Sequence, residues 1–275
     1  MDGLKEYMDK RVSFSEAVAH IKSNQTIGVA MAASEPVGLL EELGRHKDRL
    51  ENVTLWTCLP MRAYDIFMQP EMEGHFFNEN WFYGGFDRKV HAEGRVSYTP
   101  NNLHRAATDK LFATKNHLDV FIGTATPPDK RGFMSLSLGI VIEKELIAAA
   151  DLVILEINEN LPWTYGDTQI HISEVDYVVE NTSPIVQLPS EAPTEIEQLI
   201  GGHIASLIKD GATLQLGIGG IPNAITSFLH ERKDLGLHTE MFIDGMVDLY
   251  EAGVVNNRKK TLHPGKMVQP QRHRD

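Results

Sequence analysis

The sequence predicts an α/β fold made of two open, mostly parallel domains, the second of them incomplete. Short runs rich in β-branched residues alternate with longer segments of helical period, an order typical of strand–helix–strand units. Residues 151–157 are apolar almost throughout, as expected when helices cover both faces of a sheet. Right-handed crossovers would then join neighbouring strands.

The first predicted helix follows a capping box, in which Ser13 lies three residues before Glu16. Pro36 suits the first turn of a second helix, because proline lacks the N–H that a helix leaves unpaired there. The aromatic-rich stretch 76–86 has no regular period, and we expect it to form core or an interface surface. The other elements predicted in this half are strands at 26–31, 53–59, 119–124 and 151–157 and helices at 36–50 and 140–150.

Proline and serine cluster between residues 180 and 194, which predicts an extended linker and a domain boundary near residue 188. We therefore assign residues 1–188 to one domain and residues 189–268 to part of a second, since the latter segment is small for an independent α/β domain. Residues 269–275 are predicted as a polar, structureless tail. The elements predicted after the boundary are a helix at 195–209, strands at 213–216 and 240–243, and a helix from Pro222.

Composition argues against several classes of function. The 275 residues carry 26 Lys and Arg against 38 Asp and Glu, a formal charge of -12, which disfavours binding of nucleic acid by wholesale phosphate neutralisation. A single Cys forms neither an intrachain disulfide nor a cysteine-rich zinc cluster. The first residues lack the pattern of a signal peptide, and no run reaches 18 apolar residues. We therefore expect a cytoplasmic protein with neither a membrane nor a nucleic-acid partner.

The strongest local signal is a glycine-rich turn between a predicted strand and a predicted helix. Glycines let a ligand approach the backbone closely, and N–H groups at a helix N-terminus favour negative charge. A tight connection that binds no ligand explains the same pattern equally well. The spacing matches neither the dinucleotide-binding fingerprint nor the Walker A loop. The turn consists of Gly217, Ile218, Gly219, Gly220 and Ile221.

A second candidate is Glu240, at the start of the strand predicted at 240–243. In strand phase Glu240, Phe242 and Asp244 would share one face. A carboxylate is ionised at neutral pH, so Glu240 suits a nucleophile or a base close to an anion-stabilising turn. The alternative is a solvated residue at a strand end, and composition alone favours that alternative.

The remaining candidate sites are weaker. His238 and Glu240 match the His-x-Glu of zinc deaminases, but the downstream cysteine pair is absent. The sequence has no His-Glu-x-x-His and its 12 His are scattered, so we expect no metal site. Cys58 lies in an apolar run and is predicted as a small buried side chain. His104 and His171 are expected to be ordinary hydrogen-bonded histidines.

Several stretches carry a resemblance to a known family. Residues 217–224 and 236–245 together resemble the acetyl-CoA hydrolase/transferase family, and within it the 4-hydroxybutyrate and butyrate:acetate CoA-transferases. Residues 98–104, 166–171 and 261–266 also look like signatures of this family. The likeness runs from the first helix to about Val268. The chain then looks truncated, because family members continue well beyond this point and residues 269–275 depart from their pattern.

The resemblance implies two domains of the CoA-transferase type and a reaction that moves CoA from a short-chain acyl-CoA to a carboxylate such as acetate. Glu240 matches the family's nucleophile and would carry CoA as a glutamyl-CoA thioester in a ping-pong reaction. The backbone N–H groups of residues 217–221 match the family's CoA-contacting loop and would stabilise the oxyanion. Acyl-CoA is then a substrate, and no tightly bound cofactor is expected.

The resemblance leaves alternatives open. The acyl group could be 4-hydroxybutyryl, butyryl or acetyl. An acyl-CoA hydrolase on the same scaffold would resolve the glutamyl intermediate with water instead of a carboxylate. A truncated chain that lacks part of its CoA-binding surface could also be an inactive interaction module. An unfinished sheet edge favours association, and we expect a homo-oligomer in the form of a dimer.

Overall fold

The computed structural model describes residues 2–187 and 192–268. The chain divides into two compact units, Met1–Gln187 and Leu188–Asp275. The tail predicted at 269–275 lies outside the described residues. Within the described ranges, no helix combines the length and the apolar character that crossing a membrane requires.

The first unit is built on a seven-stranded sheet in which all neighbouring strands are parallel, which confirms the predicted fold class. Its strands are β1 Thr26–Val29, β2 Val53–Thr57, β3 Phe76–Asn80, β4 Val96–Tyr98, β5 Leu118–Ala125, β7 Ala150–Ile157 and β9 Tyr177–Glu180. A separate antiparallel pair consists of β6 Phe133–Ser135 and β8 Gln169–His171. The order in the large sheet is β4-β3-β2-β1-β5-β7-β9. The chain therefore grows outward from β1 to β4 and then returns to the other side of β1, which places the topological switch point between β1 and β5.

Helices connect these strands. The α-helices described in this unit are α1 Asp2–Lys10, α2 Phe14–Ala19, α3 Val37–Arg45, α4 Asp65–Met68, α5 Gly85–Val90, α6 Ala106–Ala113 and α7 Glu143–Ala149. The predicted capping box is present at the start of α2, where the Ser13 N–H donates to the Glu16 carboxylate at 2.9 Å. The Glu16 N–H donates in return to the Ser13 hydroxyl at 3.2 Å.

Two apolar clusters cover the faces of the large sheet. Successive residues of a strand point to opposite sides, so a strand between two layers must be apolar at every position. In β7, Val153 and Leu155 belong to one cluster and Ile154 belongs to the other. The apolar run predicted at 151–157 is therefore explained by burial on both faces.

Two predictions in this half need correction. The helix predicted at 36–50 ends at Arg45, and Pro36 is its N-cap with an extended backbone, φ -82° and ψ 91°, instead of a first-turn residue. The stretch 76–86, which has no regular period, contains a complete strand, β3. The polar residues of this strand interrupt the apolar pattern from which a strand is predicted. Asn78 is buried in that strand because its oxygen accepts a hydrogen bond from the Thr57 hydroxyl at 2.6 Å.

The second unit has a smaller parallel sheet packed by helices. Its strands are β10 Thr213–Leu214 and β11 Gly236–Leu237, and its helices are α8 Glu195–Leu207, α9 Gly220–Ser227 and α10 Asp244–Glu251. A capping box of Thr194 and Glu197 opens α8. One apolar cluster, which includes Leu214, Leu235 and Leu237, forms the core of this unit.

Candidate active site

The candidate site lies where β10 and β11 end. Thr213 pairs with Gly236 and Leu214 pairs with Leu237, so the two strands run side by side in the same direction. Their carboxyl ends meet at one edge of the sheet, the edge at which ligands bind in open α/β sheets. The glycine-rich turn follows β10 at this edge, and Glu240 follows β11. The structure thus brings the two sequence-predicted parts of the site together.

The side chain of Thr239 joins the two chain segments beyond the last paired residues. Its hydroxyl donates to the Leu216 carbonyl at 2.8 Å and accepts a hydrogen bond from the Leu216 N–H at 3.1 Å. Thr239 is 1 % exposed, so these bonds form in the unit's interior. Gly217 follows Leu216, and Glu240 follows Thr239. The contact therefore holds the start of the glycine-rich turn next to the backbone of Glu240.

The prediction of a strand at 240–243 is wrong. The Thr239 N–H makes the last bond of the ladder, to the Val268 carbonyl at 2.9 Å. The Met241 carbonyl then turns back to within 3.0 Å of the Thr239 hydroxyl, which bends the chain out of the sheet. Glu240 is consequently an exposed residue in this bend, and α10 begins at Asp244. The shared face predicted for Glu240, Phe242 and Asp244 does not exist.

The glycines of the turn are needed for different structural reasons. Gly219 has a φ of 116°, which an L-residue rarely adopts. A side chain at Gly217 or Gly219 would meet no atom of the described residues within 4 Å. A Cβ at Gly220, in contrast, would clash with the Glu197 carboxylate. Gly220 is therefore needed for the packing of α9 against α8, whereas Gly217 and Gly219 face open space that a ligand can enter.

The N-terminus of α9 supplies the hydrogen-bond donors of the site. Gly220 and Ile221 are its first two residues, and Pro222 follows with no N–H of its own. The N–H groups of the first turn have no partner within the helix, and the helix dipole adds partial positive charge there. Ile218 lies before them in the exposed part of the turn, with 55 % of its surface accessible. This end of α9 suits a negatively charged oxygen.

A buried lysine, which was not predicted, supports the far side of β11. Lys260 is 5 % exposed, and burial holds the pKa of its ammonium below the ordinary range. Its ammonium donates to the carbonyls of Leu237 and Lys266, each at 2.7 Å. Lys260 thereby ties the 261–266 stretch to the strand that precedes Glu240.

The other predicted candidates, His171, His104 and Cys58, lie in the first unit. His171 contacts the Arg131 carbonyl at 2.9 Å and the Ser173 hydroxyl at 2.8 Å, as expected of a hydrogen-bonded histidine. His104 is exposed. Cys58 is buried, and burial together with the charge of Glu143 raises the pKa of its thiol to about 12. The thiol is therefore protonated and unsuited to nucleophilic attack.

Three buried glutamates in the first unit were not predicted. Glu35, Glu143 and Glu156 are each less than 5 % exposed, and burial raises the pKa of all three carboxyl groups. The pKa reaches about 7 for Glu35 and about 7 for Glu156. The available signal was the charge of Glu156 inside the apolar run 151–157, because a buried carboxyl group must be hydrogen-bonded or neutral.

Among the residues that the structure describes, no group of three or more His, Cys, Asp or Glu could hold a metal ion.

The family model for the acetyl-CoA hydrolase/transferase N-terminal domain matches residues 1–188 of this chain. A 4-hydroxybutyrate coenzyme A transferase from Clostridium kluyveri is 40 % identical over 95 % of this chain and 61 % of its own length. An acetyl-CoA hydrolase from Neurospora crassa is more distant, with 27 % identity over 58 % of this chain and 39 % of its own length.

The fold has a close match among solved structures. RipA from Yersinia pestis aligns with a TM-score of 0.89 and 32 % identity, over 98 % of this chain and 66 % of its own chain. The chain thus spans somewhat less than two thirds of the length of these first relatives. The matched domain model covers more than half of the chain, and the relatives agree with it in sequence and fold. The chain belongs to the acetyl-CoA hydrolase/transferase family.

Proposed function

We propose that this chain carries the nucleophile of a CoA-transferase, with Glu240 as the catalytic residue. The observation that carries the proposal is the pairing of β10 with β11, which sets an exposed carboxylate and an open, donor-rich turn at one sheet edge. Covalent catalysis needs these two parts together, a nucleophile and donors for the oxyanion that it creates.

The proposed reaction starts with attack of the Glu240 carboxylate on the thioester carbonyl of acyl-CoA. The resulting oxyanion accepts hydrogen bonds from the N–H groups of Gly220 and Ile221. The C–S bond then breaks, which leaves an acyl-glutamyl anhydride and the CoA thiolate. The thiolate attacks the glutamyl carbonyl, the first carboxylate departs, and Glu240 becomes a glutamyl-CoA thioester. An acceptor carboxylate reverses these steps and leaves as the new acyl-CoA.

The residues of the turn have different roles in the proposed reaction. Gly217 and Gly219 leave space for the thioester to approach the backbone, and Ile218 presents an apolar side chain at the rim. Loss of one oxyanion donor typically costs a factor of about 10²–10³ in rate. The N-terminal end of α9 is therefore expected to matter for turnover as much as for CoA binding.

The proposed substrates are a short-chain acyl-CoA, such as the 4-hydroxybutyryl, butyryl or acetyl thioester, and an acceptor such as acetate. The name of the Clostridium kluyveri relative supports the first of these acyl groups.

Three further points stay predictions: the domains at 1–188 and 189–268, the homodimer and the cytoplasmic location. Size-exclusion chromatography with light scattering measures the oligomeric state.

An acyl-CoA hydrolase is the second candidate, because the same family includes hydrolases and both reactions share the glutamyl intermediate. The hydrolase relative is more distant than the transferase relative, which favours transfer. A requirement for added acetate separates the two reactions. Release of CoA from acyl-CoA at the same rate without a carboxylate acceptor would support the hydrolase.

Trapping of the intermediate tests the nucleophile. The chain is incubated with acyl-CoA, reduced with borohydride and mapped by peptide mass spectrometry. We expect a reduced glutamyl side chain at Glu240, its absence in Glu240→Gln, and normal labelling in the control Glu231→Gln, which changes another exposed glutamate of the same unit. Reduction at any other residue, or no reduction at all, would overturn the proposal.

A further inference from the structure

Helix α8 carries an exposed apolar stripe on the side that faces away from α9. On the inner side Gly201 and Ala205 are buried, and a Cβ at Gly201 would lie 2.8 Å from the Cβ of Ala224 in α9. At 3.6 residues per turn, the stripe occupies an arc of about 140° roughly opposite Ala205. Its five apolar members, which are between 37 % and 79 % exposed, are Ile196, Leu199, Ile200, Ile204 and Leu207.

The composition of α8 is that of a helix covered on both sides. No Asp, Glu, Lys or Arg occurs between residues 198 and 208. A surface helix normally presents charged residues on its outer face, whereas a helix that is apolar on all sides is usually buried. Single exposed apolar side chains are common, but five along one helix of 13 residues form a continuous patch, which marks a protein–protein contact. The stripe therefore has the character of an association surface.

The stripe is symmetric along the helix. His203, which is exposed, is its one polar member. About the midpoint between Gly201 and Gly202, the six positions form three pairs at equal distances on either side: Ile196 with Leu207, Leu199 with Ile204, and Ile200 with His203. Two-fold association needs a surface that matches itself, because both copies use the same patch. A two-fold axis through this midpoint places each residue opposite the other member of its pair, and the two copies of α8 then run antiparallel.

The charges at the ends of α8 favour the same arrangement. Glu195 is in the first turn, and Lys209 lies just beyond the last turn. Asp210, which follows, is turned toward Lys233, whose backbone N–H donates to its carboxylate at 2.8 Å. An antiparallel pair brings the acidic start of one helix beside the basic end of the other. It also sets the positive end of each helix dipole beside the negative end of the other.

We propose that two copies of this chain associate through the α8 stripe, on a two-fold axis that passes between Ile200 and His203. The stripe supplies the apolar centre of the interface, and the residues around it supply the polar rim of the roughly 800 Å² that each partner contributes to a standard interface. The symmetry of the stripe selects a second copy over an unrelated partner, which would have no need of it. The proposal rests on the second unit alone and is independent of the reaction proposed for Glu240.

Analytical ultracentrifugation over a wide range of concentrations tests the association. We expect the wild-type chain to sediment with the mass of two chains. Ile200→Glu puts a carboxylate beside the axis in both copies and should weaken association about a hundredfold or more. Phe112→Glu, the matched control, changes an 82 % exposed apolar residue of the first unit and should leave the dimer intact. Far-ultraviolet circular dichroism checks that both variants are folded.

Cysteine cross-linking tests the symmetry and does not depend on the folding of Ile200→Glu. Position 200 of one copy should face position 203 of the other, so a mixture of Ile200→Cys and His203→Cys chains should form a disulfide-linked heterodimer on mild oxidation. Ile196→Cys alone should not, because the two copies of this residue would lie about 16 Å apart along the helices at 1.5 Å per residue. Cys58 does not interfere, because it is buried.

Three results would contradict the proposal. A wild-type chain that stays monomeric at the highest concentration has no such interface. A dimer that survives Ile200→Glu uses another surface, such as a sheet edge. Efficient cross-linking of Ile196→Cys to itself, in place of the heterodimer, would mean that the helices run parallel and that no two-fold axis crosses this midpoint.

Discussion

The Thr239 hydroxyl and the Leu216 backbone exchange two hydrogen bonds, one in each direction, at 2.8 and 3.1 Å. This side chain replaces the ladder bonds that β10 and β11 lack after Leu214 and Leu237. The sheet is thereby extended to the residues that immediately precede the turn and Glu240. The geometry of the candidate site depends on one hydroxyl more than on the length of either strand.

Removal of that hydroxyl should destabilise the second unit. Thr239→Val keeps the shape of the side chain but leaves the buried Leu216 N–H and carbonyl without this partner, at a cost of about 1–3 kcal/mol. Thr239→Ser should retain most of the stability, because serine can make both bonds. Urea unfolding followed by far-ultraviolet circular dichroism measures the difference in stability between the variants. Equal midpoints for the Val variant and the wild type would show that the contact contributes nothing.

The two kinds of glycine in the turn should respond differently to alanine. Gly220→Ala forces a methyl group against the Glu197 carboxylate, which its bonds to Thr194 at 2.7 and 2.8 Å hold in place. We expect destabilisation of about 1–3 kcal/mol from overpacking. In a double-mutant cycle, Glu197→Ala should reduce that cost. A cost that Glu197→Ala leaves unchanged would assign the effect to another contact.

Gly217→Ala is the matched test of function. The open space at this position predicts unchanged stability, within about 0.5 kcal/mol. The added methyl group should nevertheless hinder approach of a thioester to the turn and reduce borohydride labelling of Glu240 at least severalfold. Labelling at the wild-type rate would mean that Gly217 does not face the ligand.

The buried carboxyl groups predict how stability depends on pH. Folding raises the pKa of Glu35 and of Glu156 from an ordinary 4.5 to about 7. Both groups therefore bind a proton more tightly in the folded chain, so their contribution to stability is complete below pH 4.5 and is lost as the pH rises through about 7. The loss is roughly 1–3 kcal/mol for each group.

Urea midpoints between pH 4.5 and pH 8 measure this effect. The double variant Glu35→Gln/Glu156→Gln should lose stability less steeply over that range, because neither amide titrates. The difference between the two profiles isolates these groups from all others. Profiles that stay parallel would contradict the assignment.

Lysines at neighbouring positions should differ in importance. Lys260→Met removes the donor of two carbonyls, those of Leu237 and Lys266, and should cost about 1–3 kcal/mol. Lys259→Met breaks an exposed ion pair with Asp234 and should leave the urea midpoint unchanged. Equal midpoints for the two variants would show that the buried bonds of Lys260 add no stability.

The sequence was sufficient where local chemistry decides the structure. The capping box at Ser13 and Glu16, the alternation of strands with helices and the turn that opens α9 all follow from residues close together in the chain. The positions of the turn and of Glu240 beside parallel strands also agree with the order of elements in the sequence.

Contacts between distant residues explain what the sequence could not predict. The strand expected at 240–243 is replaced by a bend because the Thr239 hydroxyl reaches Met241 and Leu216, a contact that no periodicity reveals. Asn78 is buried in β3 because Thr57 of the neighbouring strand binds it. The burial of Glu35 likewise depends on residues that are far from it in the chain, and no local pattern predicts it.

The strand order of the first unit has a consequence for synthesis of the chain. β1 is made first and sits between β2 and β5, but β5 cannot pair with it until residue 125 has left the ribosome. Until then one edge of β1 is unpaired in the nascent chain, and an open strand edge invites aggregation. Translation pauses or chaperone binding before residue 118 should therefore influence the yield of folded protein more than the same events after residue 157.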